Sequence, residues 1–118
     1  MLGRLSTHVL DTVAGAPANG VTWSLYRIDG SEKIHVSEGT TNSDGRTDSP
    51  LLEGAGVTVG TYELVFQVAD YFRRQGTAIS DPPFLDVIPL RFAIFDMDQN
   101  YHVPLLVSPY SYSTYRGS

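Results

Sequence analysis

Residues 61–68, TYELVFQV, carry the strongest strand signal in the chain. Tyr62, Leu64, Phe66 and Val68 fall on one face of an extended segment, because successive side chains of a β-strand point to opposite sides. Aromatic and β-branched residues of this kind favour strands. A strand with one continuous apolar face has to bury that face against another layer. The stretch therefore predicts a sheet that packs against a second layer on one side.

Strand signals of the same kind recur at short intervals along the chain, separated by glycine, proline, aspartate and asparagine. Helical periodicity is almost absent, which indicates an all-β protein. Two sheets that bury alternating faces against each other are the most economical architecture for this pattern. We therefore predict an all-β fold, a two-sheet β-sandwich of seven or eight strands with one short helix. The predicted strands lie at 4–12, 21–28, 33–41, 51–52, 61–68, 90–95, 101–108 and 110–117.

Local turn chemistry adds detail to this prediction. The pair Asp29-Gly30 predicts a hairpin, and we interpret DMDQN at 96–100 as a second hairpin turn. The segment 70–76, DYFRRQG, predicts the single helix, capped by Asp70 and ended by Gly76.

Two prolines constrain the strands that contain them, because proline has no N–H to donate to a ladder. We expect Pro89 to start a strand. Pro104 lies inside the predicted strand 101–108. We therefore place the second half of that strand at a sheet edge or against another subunit.

Composition sets broad limits on function. The 118 residues predict a single domain over 1–118, and the absence of cysteine excludes disulfides, a thiolate nucleophile and cysteine-ligated zinc. The formal charge of -5 is scattered, so no basic face is available for nucleic acid. No apolar run is long enough to span a membrane. The first residues lack the apolar core of a signal peptide, so we expect a cytoplasmic protein without a membrane partner.

Three histidines are candidates for proton transfer or metal binding, namely His8, His35 and His102. They lack the close spacing of a zinc site, so we expect no metal. We place His35 at the surface. His8 and His102 lie in mostly apolar strands, where an imidazole needs a partner or a function.

The other candidate residues have an ordinary interpretation when they are taken one at a time. Arg46 follows Asp44-Gly45 in a turn, where a solvated arginine is common. The chain ends on residues 110–118, YSYSTYRGS, whose hydroxyl groups and arginine either point into a polar cavity or fill an oligomer interface. Composition leaves both interpretations open.

Two stretches resemble the paired signatures of the transthyretin superfamily, residues 8–21, HVLDTVAGAPANGV, and residues 101–113, YHVPLLVSPYSYS. Between them, TYELVFQVADYF at 61–72 resembles the family's long strand and its single short helix. The resemblance covers nearly the whole chain and implies a prealbumin-like sandwich. It also implies a homotetramer with its sites in a channel at the dimer–dimer interface.

The superfamily contains both hormone carriers and hydrolases, so function has to be argued from the site. Vertebrate thyroid-hormone carriers have lysine in place of His8, threonine in place of His102, and a longer, unrelated tail. The combination of His8, His102 and a terminal YRGS is similar to the branch that hydrolyses 5-hydroxyisourate in purine breakdown. Arg46 matches the arginine of that branch.

Similarity to the hydrolase branch implies a small-molecule substrate and no cofactor or metal. The catalytic residues that it implies are His8, Arg46, His102 and Ser118, with one imidazole as general base. The substrate-binding residues that it implies are His8, Arg46, Tyr115 and Arg116. The alternative is a carrier of hormone-like ligands without catalysis. Exported and peroxisomal relatives are compatible with the resemblance.

Overall fold

Strands make up most of the regular structure in the computed structural model, which describes residues 2–118. The elements are β1 (Arg4–Asp11), β2 (Ala16–Pro17), β3 (Thr22–Asp29), β4 (Glu32–Thr40), β5 (Leu52–Glu53), a 3₁₀ turn (Gly54–Gly56), β6 (Gly60–Gln67), α1 (Val68–Arg74), β7 (Val87–Ile94), β8 (Tyr101–Val107) and β9 (Tyr112–Ser113). Three of these strands, β2, β5 and β9, have two residues each. The described residues therefore contain one strand more than predicted, β2, because a piece of two residues shows no alternation in the sequence.

The strands form two sheets, which confirms the predicted sandwich. One sheet has the order β2-β1-β8-β9, with β5 also paired to β1, and the other has the order β4-β3-β6-β7. Strands β1 and β8 are parallel, although they come from opposite ends of the chain. This pairing brings the two ends of the sequence together in the middle of one sheet.

The core lies between the two sheets and is built from alternating positions. Tyr62, Leu64 and Phe66 of β6 are buried, as the alternation predicts. Leu5 and Val9 of β1 face them from the other sheet and are also fully buried. The opposite face of β1 is consequently left for polar side chains.

The predicted start and cap of the helix are wrong. The helix begins at Val68 rather than Asp70, and the residue before it, Gln67, provides no side-chain cap. The backbone N–H groups of Val68 and Ala69 donate instead to the carbonyl oxygen of Asp86, at 3.0 and 3.2 Å. A tertiary contact therefore replaces the local cap that the sequence suggested. Gly76 follows the helix with a positive φ of 75°, as expected.

The turn at 96–100 is not a hairpin, because β7 and β8 belong to different sheets. The backbone N–H of Gln99 donates to the carbonyl oxygen of Asp96 at 3.2 Å, so a turn does form. The same turn residues suit a hairpin within one sheet and a connection between two sheets. The sequence alone therefore could not distinguish a hairpin from a crossing. The Asp29-Gly30 hairpin between β3 and β4 is confirmed.

Pro89 does not start its strand as predicted, and the sheet-edge alternative for Pro104 is wrong. Pro89 is the third residue of β7, where it is tolerated because this strand ends the order of its sheet. Pro104 lies in an interior strand, between β1 and β9. Its missing N–H points to the C-terminal segment, where the ladder skips this residue and the Thr114 hydroxyl donates to the Pro104 carbonyl at 2.7 Å. Contact of this region with another subunit stays a prediction.

Candidate active site

Two imidazoles lie on the outer face of the sheet formed by β1 and β8. Residues of β1 alternate between the core and this outer face, so Ser6 and His8 are half-buried on the outside. The parallel register places Ser6 opposite His102 and His8 opposite Pro104. The candidates His8 and His102, 94 positions apart in the sequence, therefore share one surface.

Ser6 is a site residue that sequence reasoning missed. Its Oγ lies 2.9 Å from Nδ1 of His102, so the hydroxyl orients the imidazole ring. The alternation of β1 puts Ser6 on the same face as His8, which was a usable signal. The contact with His102 was not visible, because it depends on the parallel pairing of distant strands.

The turn after β4 holds Arg46 beside the imidazoles. Oδ1 of Asn42 accepts the backbone N–H groups of Asp44 and Arg46, at 2.9 and 3.1 Å. The Gly45 carbonyl in turn accepts the Val9 N–H at 2.8 Å, which fastens the turn to the edge of β1. An Asx-type turn of this kind explains why asparagine, aspartate and glycine precede the arginine.

The same turn fixes the tautomer of His8. Nε2 of His8 lies 2.8 Å from the carbonyl oxygen of Asp44. A carbonyl oxygen only accepts hydrogen bonds, so Nε2 carries the proton in this arrangement. The imidazole is therefore held with its N–H directed at the turn that presents Arg46.

Replacing Gly45 by alanine is expected to lower the free energy of unfolding by about 3 kcal/mol, because it adds steric strain to an unfavourable positive φ. Gly45 has a φ of +73°, and a Cβ atom there would lie 2.4 Å from the Val9 carbonyl oxygen. Gly15, with a φ of +68° and no atom within 4 Å of its added Cβ, provides the matched control. Urea unfolding of Gly45→Ala and Gly15→Ala measures the difference. Equal losses in both variants would contradict the close approach.

A polar cavity of about 520 Å³ opens between the outer face of β1 and β8 and the segment that follows Arg46. Side chains from four separate parts of the sequence line it, among them Arg4, Ser6, Arg46, Asn100, His102 and Ser118. We call this the first cavity. Three of the four predicted catalytic residues thus line one space, and His8 is attached to the turn that supplies Arg46.

The pKa of His102 lies below the ordinary 6.5, chiefly because burial disfavours the charged imidazole. The positive charge of Arg46 lowers it further, and the neighbouring His8 contributes in the same direction. His102 is accordingly neutral near pH 7, and a neutral imidazole can accept a proton.

The C-terminal residues run past His102. Gly117 exchanges two backbone hydrogen bonds with His102, at 2.8 and 3.3 Å. A Cβ atom on Gly117 would lie 3.0 Å from the imidazole, so the tail backbone packs directly against this side chain. Ser118 then reaches the first cavity.

Tyr115 and Arg116 face a different part of the molecule in the single chain. They line a second cavity, of about 350 Å³, with the apolar residues Leu90 and Phe92 of β7 and with Tyr101. The structure therefore does not bring them together with the residues of the first cavity. Their predicted contacts with substrate stay a prediction.

His35 lies outside both cavities. It is exposed on β4, and its Nε2 lies 3.1 Å from the Glu38 carboxylate. The surface placement expected for His35 is what the structure has. Within residues 2–118, no cluster of three His, Asp or Glu side chains is arranged to hold a metal ion, and no helix is long and apolar enough to cross a membrane.

Fold and site together define a transthyretin-type sandwich whose outer sheet face carries proton-transfer groups. The chain belongs to the HIUase/Transthyretin family, whose sequence model matches residues 5–117. It is 60% identical over 116 residues to 5-hydroxyisourate hydrolase 2 of Rhizobium meliloti, an alignment that covers 98% of this chain and 97% of that protein.

Two solved structures show the breadth of the fold. The 5-hydroxyisourate hydrolase of Klebsiella pneumoniae is 33% identical and superposes with a TM-score of 0.81, covering 99% of this chain and 100% of its own. Sea bream transthyretin in complex with thyroxine is 26% identical and superposes with a TM-score of 0.85, covering 97% and 94%. The backbone fold therefore does not distinguish a hydrolase from a thyroxine-binding protein. The side chains of the site have to make this distinction.

Proposed function

We propose that this protein is an enzyme that hydrolyses 5-hydroxyisourate to 2-oxo-4-hydroxy-4-carboxy-5-ureidoimidazoline, in the breakdown of urate. The observation that carries this proposal is the convergence of His8, Arg46 and His102 on one face of the β1–β8 sheet. Relatives named for this activity, one of them 60% identical over nearly the full length, support it. The reaction is hydrolysis of a cyclic amide C–N bond.

His102 is assigned as the general base. Hydrolysis begins when a water molecule loses a proton and attacks a ring carbonyl carbon, which forms a tetrahedral oxyanion. Burial keeps the imidazole of His102 neutral, and the Ser6 hydroxyl holds its Nδ1. Nε2 of His102 is then the atom that takes the proton from water, with Ser6 accepting from Nδ1–H.

Arg46 stabilises the negative oxygen, and His102, once protonated, completes the cleavage. The Arg46 guanidinium presents several N–H donors in one plane, which suits the carbonyl oxygens of a flat oxidised purine. The protonated imidazole of His102 returns its proton to the ring nitrogen as the C–N bond breaks. His8 orients the substrate or the water, and the Ser118 hydroxyl hydrogen-bonds to either of them.

Several identical subunits would complete this site. Arg46 and Ser118 are exposed in the single chain, so the first cavity is open on one side. A second copy that covers the β1–β8 face would exclude water and strengthen every electrostatic contact inside. We therefore infer a homotetramer with its sites at the dimer–dimer interface, as the resemblance to the family implies.

The alternative function is a carrier of hormone-like ligands. It is considered because the chain also superposes on a transthyretin in complex with thyroxine. Two imidazoles and a guanidinium argue against a carrier, because an apolar ligand in a channel would form no hydrogen bonds with these groups. The experiment adds freshly generated 5-hydroxyisourate and follows its near-ultraviolet absorbance, with a calorimetric titration of thyroxine in parallel. Decay no faster than the spontaneous reaction, together with thyroxine binding, would replace the hydrolase by the carrier.

The pH profile of kcat/KM is expected to have its acid limb below 6.5, the ordinary pKa of histidine. Activity requires neutral His102, and burial and the neighbouring positive charges lower its pKa, so protonation stops turnover only at lower pH. Arg46→Met removes one of these charges and should raise the pKa of His102, measured by NMR titration of the imidazole carbon-bound proton. Arg73→Met, on the helix surface, is the control. An acid limb at or above 6.5, or an unchanged titration in Arg46→Met, would contradict the assignment.

A further inference from the structure

Arg116 lines the second cavity and is bound to the connection between β7 and β8. Its Nη2 donates to Oε1 of Gln99 at 2.7 Å and to the Asn100 carbonyl at 3.2 Å. The guanidinium carbon lies 4.7 Å from the ring centroid of Tyr101 and 5.7 Å from that of Phe95, within the range of cation–π attraction. The exposed guanidinium is thus held by its own chain through Nη2 and through two aromatic rings.

The surface that receives Arg116 is held in place by the rest of the connection. Nε2 of Gln99 donates to Oδ2 of Asp96 at 3.1 Å, which fixes the orientation of the side-chain amide and leaves Oε1 for Arg116. The buried Tyr101 accepts the backbone N–H groups of Phe95 and Asp96 through its hydroxyl, at 3.1 and 2.9 Å. A preformed acceptor of this kind loses little conformational entropy when it binds the arginine.

The residues after Arg116 are the ones that meet the site. Gly117 forms two backbone hydrogen bonds with His102, and a Cβ atom there would lie only 3.0 Å from the imidazole. Ser118 lines the first cavity. Anchoring residue 116 therefore sets the register in which the next two residues lie along His102.

We propose that Gln99 and Arg116 form a latch that positions the C-terminal residues, and through them His102 and Ser118, for the reaction. The inference rests on the proposed function and deepens it, because it makes Gln99 a positioning residue. It also gives Arg116 the task of holding the tail in place of a contact with substrate.

The first test is Gln99→Leu, which removes both side-chain hydrogen bonds at similar size. We expect kcat to fall about tenfold or more with a smaller change in KM, because small displacements of catalytic groups are costly and substrate contacts are untouched. Gln75→Leu, at the exposed end of α1, is the matched control and should leave both constants unchanged. Wild-type kinetics in Gln99→Leu would overturn the latch.

A double-mutant cycle tests the pairing itself. Arg116→Gln should also lower kcat, and Gln99→Leu should have little further effect in that background, because each change opens the same contact. Both hydrogen bonds come from one nitrogen of Arg116, so Arg116→Lys, which keeps a charged donor, should restore part of the kcat that Arg116→Gln loses. Independent, multiplying effects, or an Arg116→Gln variant that changes only KM, would assign Arg116 to the substrate and reject the latch.

Amide hydrogen exchange supplies a measurement that does not depend on turnover. The Gly117 N–H donates to the His102 carbonyl at 2.8 Å and should exchange about tenfold faster in Gln99→Leu, as expected when local opening becomes easier. The Val9 N–H, bound to Gly45, serves as the internal reference. Unchanged exchange at Gly117 would reject the latch even in an active enzyme. Failure of the wild-type protein to hydrolyse the substrate would reject the proposed function and leave this measurement intact.

Discussion

Replacing His102 by threonine is expected to lower kcat/KM for 5-hydroxyisourate by about 10²–10⁴-fold, the range associated with loss of a general base. Threonine is the residue that the hormone carriers have at this position, so the backbone should accept it. The side chain is half-buried on the outer face of β8 and makes its one side-chain hydrogen bond to Ser6. Stability should consequently change little, which urea unfolding will verify.

His8→Lys tests the second imidazole in the same way. Lysine supplies a positive charge but no neutral base near pH 7, and it has no ring N–H to donate to the Asp44 carbonyl. We expect a loss of similar size, and the double variant should be little worse than either single one if the imidazoles act as a unit. His35→Thr, exposed on β4, is the control. Wild-type turnover in either His8→Lys or His102→Thr would remove that imidazole from the mechanism.

The parts of the fold that could be predicted are those governed by local pattern. The alternation over 61–68 leads directly to β6 and its buried face, since side-chain period and burial are both properties of one strand. The helix start at Val68 was missed because its N–H groups find the Asp86 carbonyl, a contact from a distant segment. A local cap and an acceptor from a distant segment can each bind the first backbone N–H groups of a helix. Only the local cap can be recognised from the sequence.

The candidate site also contains residues that could be predicted and residues that could not. Resemblance to the family named His8, Arg46, His102 and Ser118, whereas the residue types alone left the arginine in an ordinary turn. Ser6 went unnoticed because its contact with His102 exists only after β1 and β8 pair in parallel. Non-local register is set by the packing of the whole sandwich, so no spacing rule within one segment could have revealed it.

The direction in which the Arg116 side chain points also could not be predicted from the sequence. An arginine next to two predicted site residues suggests a ligand for the substrate, yet its guanidinium packs on Tyr101 and Gln99. Tyr115 and Arg116 both line the second cavity and Ser118 lines the first, so the tail passes from one cavity to the other between Arg116 and Ser118. Which residue reaches which cavity depends on how the tail crosses His102.

Deleting residues 115–118 is expected to abolish measurable turnover while leaving a folded β-sandwich. The deletion removes Ser118 from the first cavity and the two backbone hydrogen bonds that Gly117 makes with His102. It also removes the two hydrogen bonds that Arg116 donates to Gln99 and Asn100. None of the four residues belongs to the buried core, so the free energy of unfolding should fall by about 2–4 kcal/mol, the net value of four hydrogen bonds.

The deletion also uncovers His102. With the tail gone, water reaches the imidazole, the burial that lowers its pKa is reduced, and the pKa should move back towards 6.5 in an NMR titration. Ser118→Ala, which keeps the tail in place, should leave that titration unchanged and lower kcat/KM by a smaller factor. Three measurements therefore separate the roles of the tail, namely turnover, unfolding and the titration of His102. Wild-type activity in the truncated protein would show that the tail has no role in catalysis, because an absent segment cannot position His102.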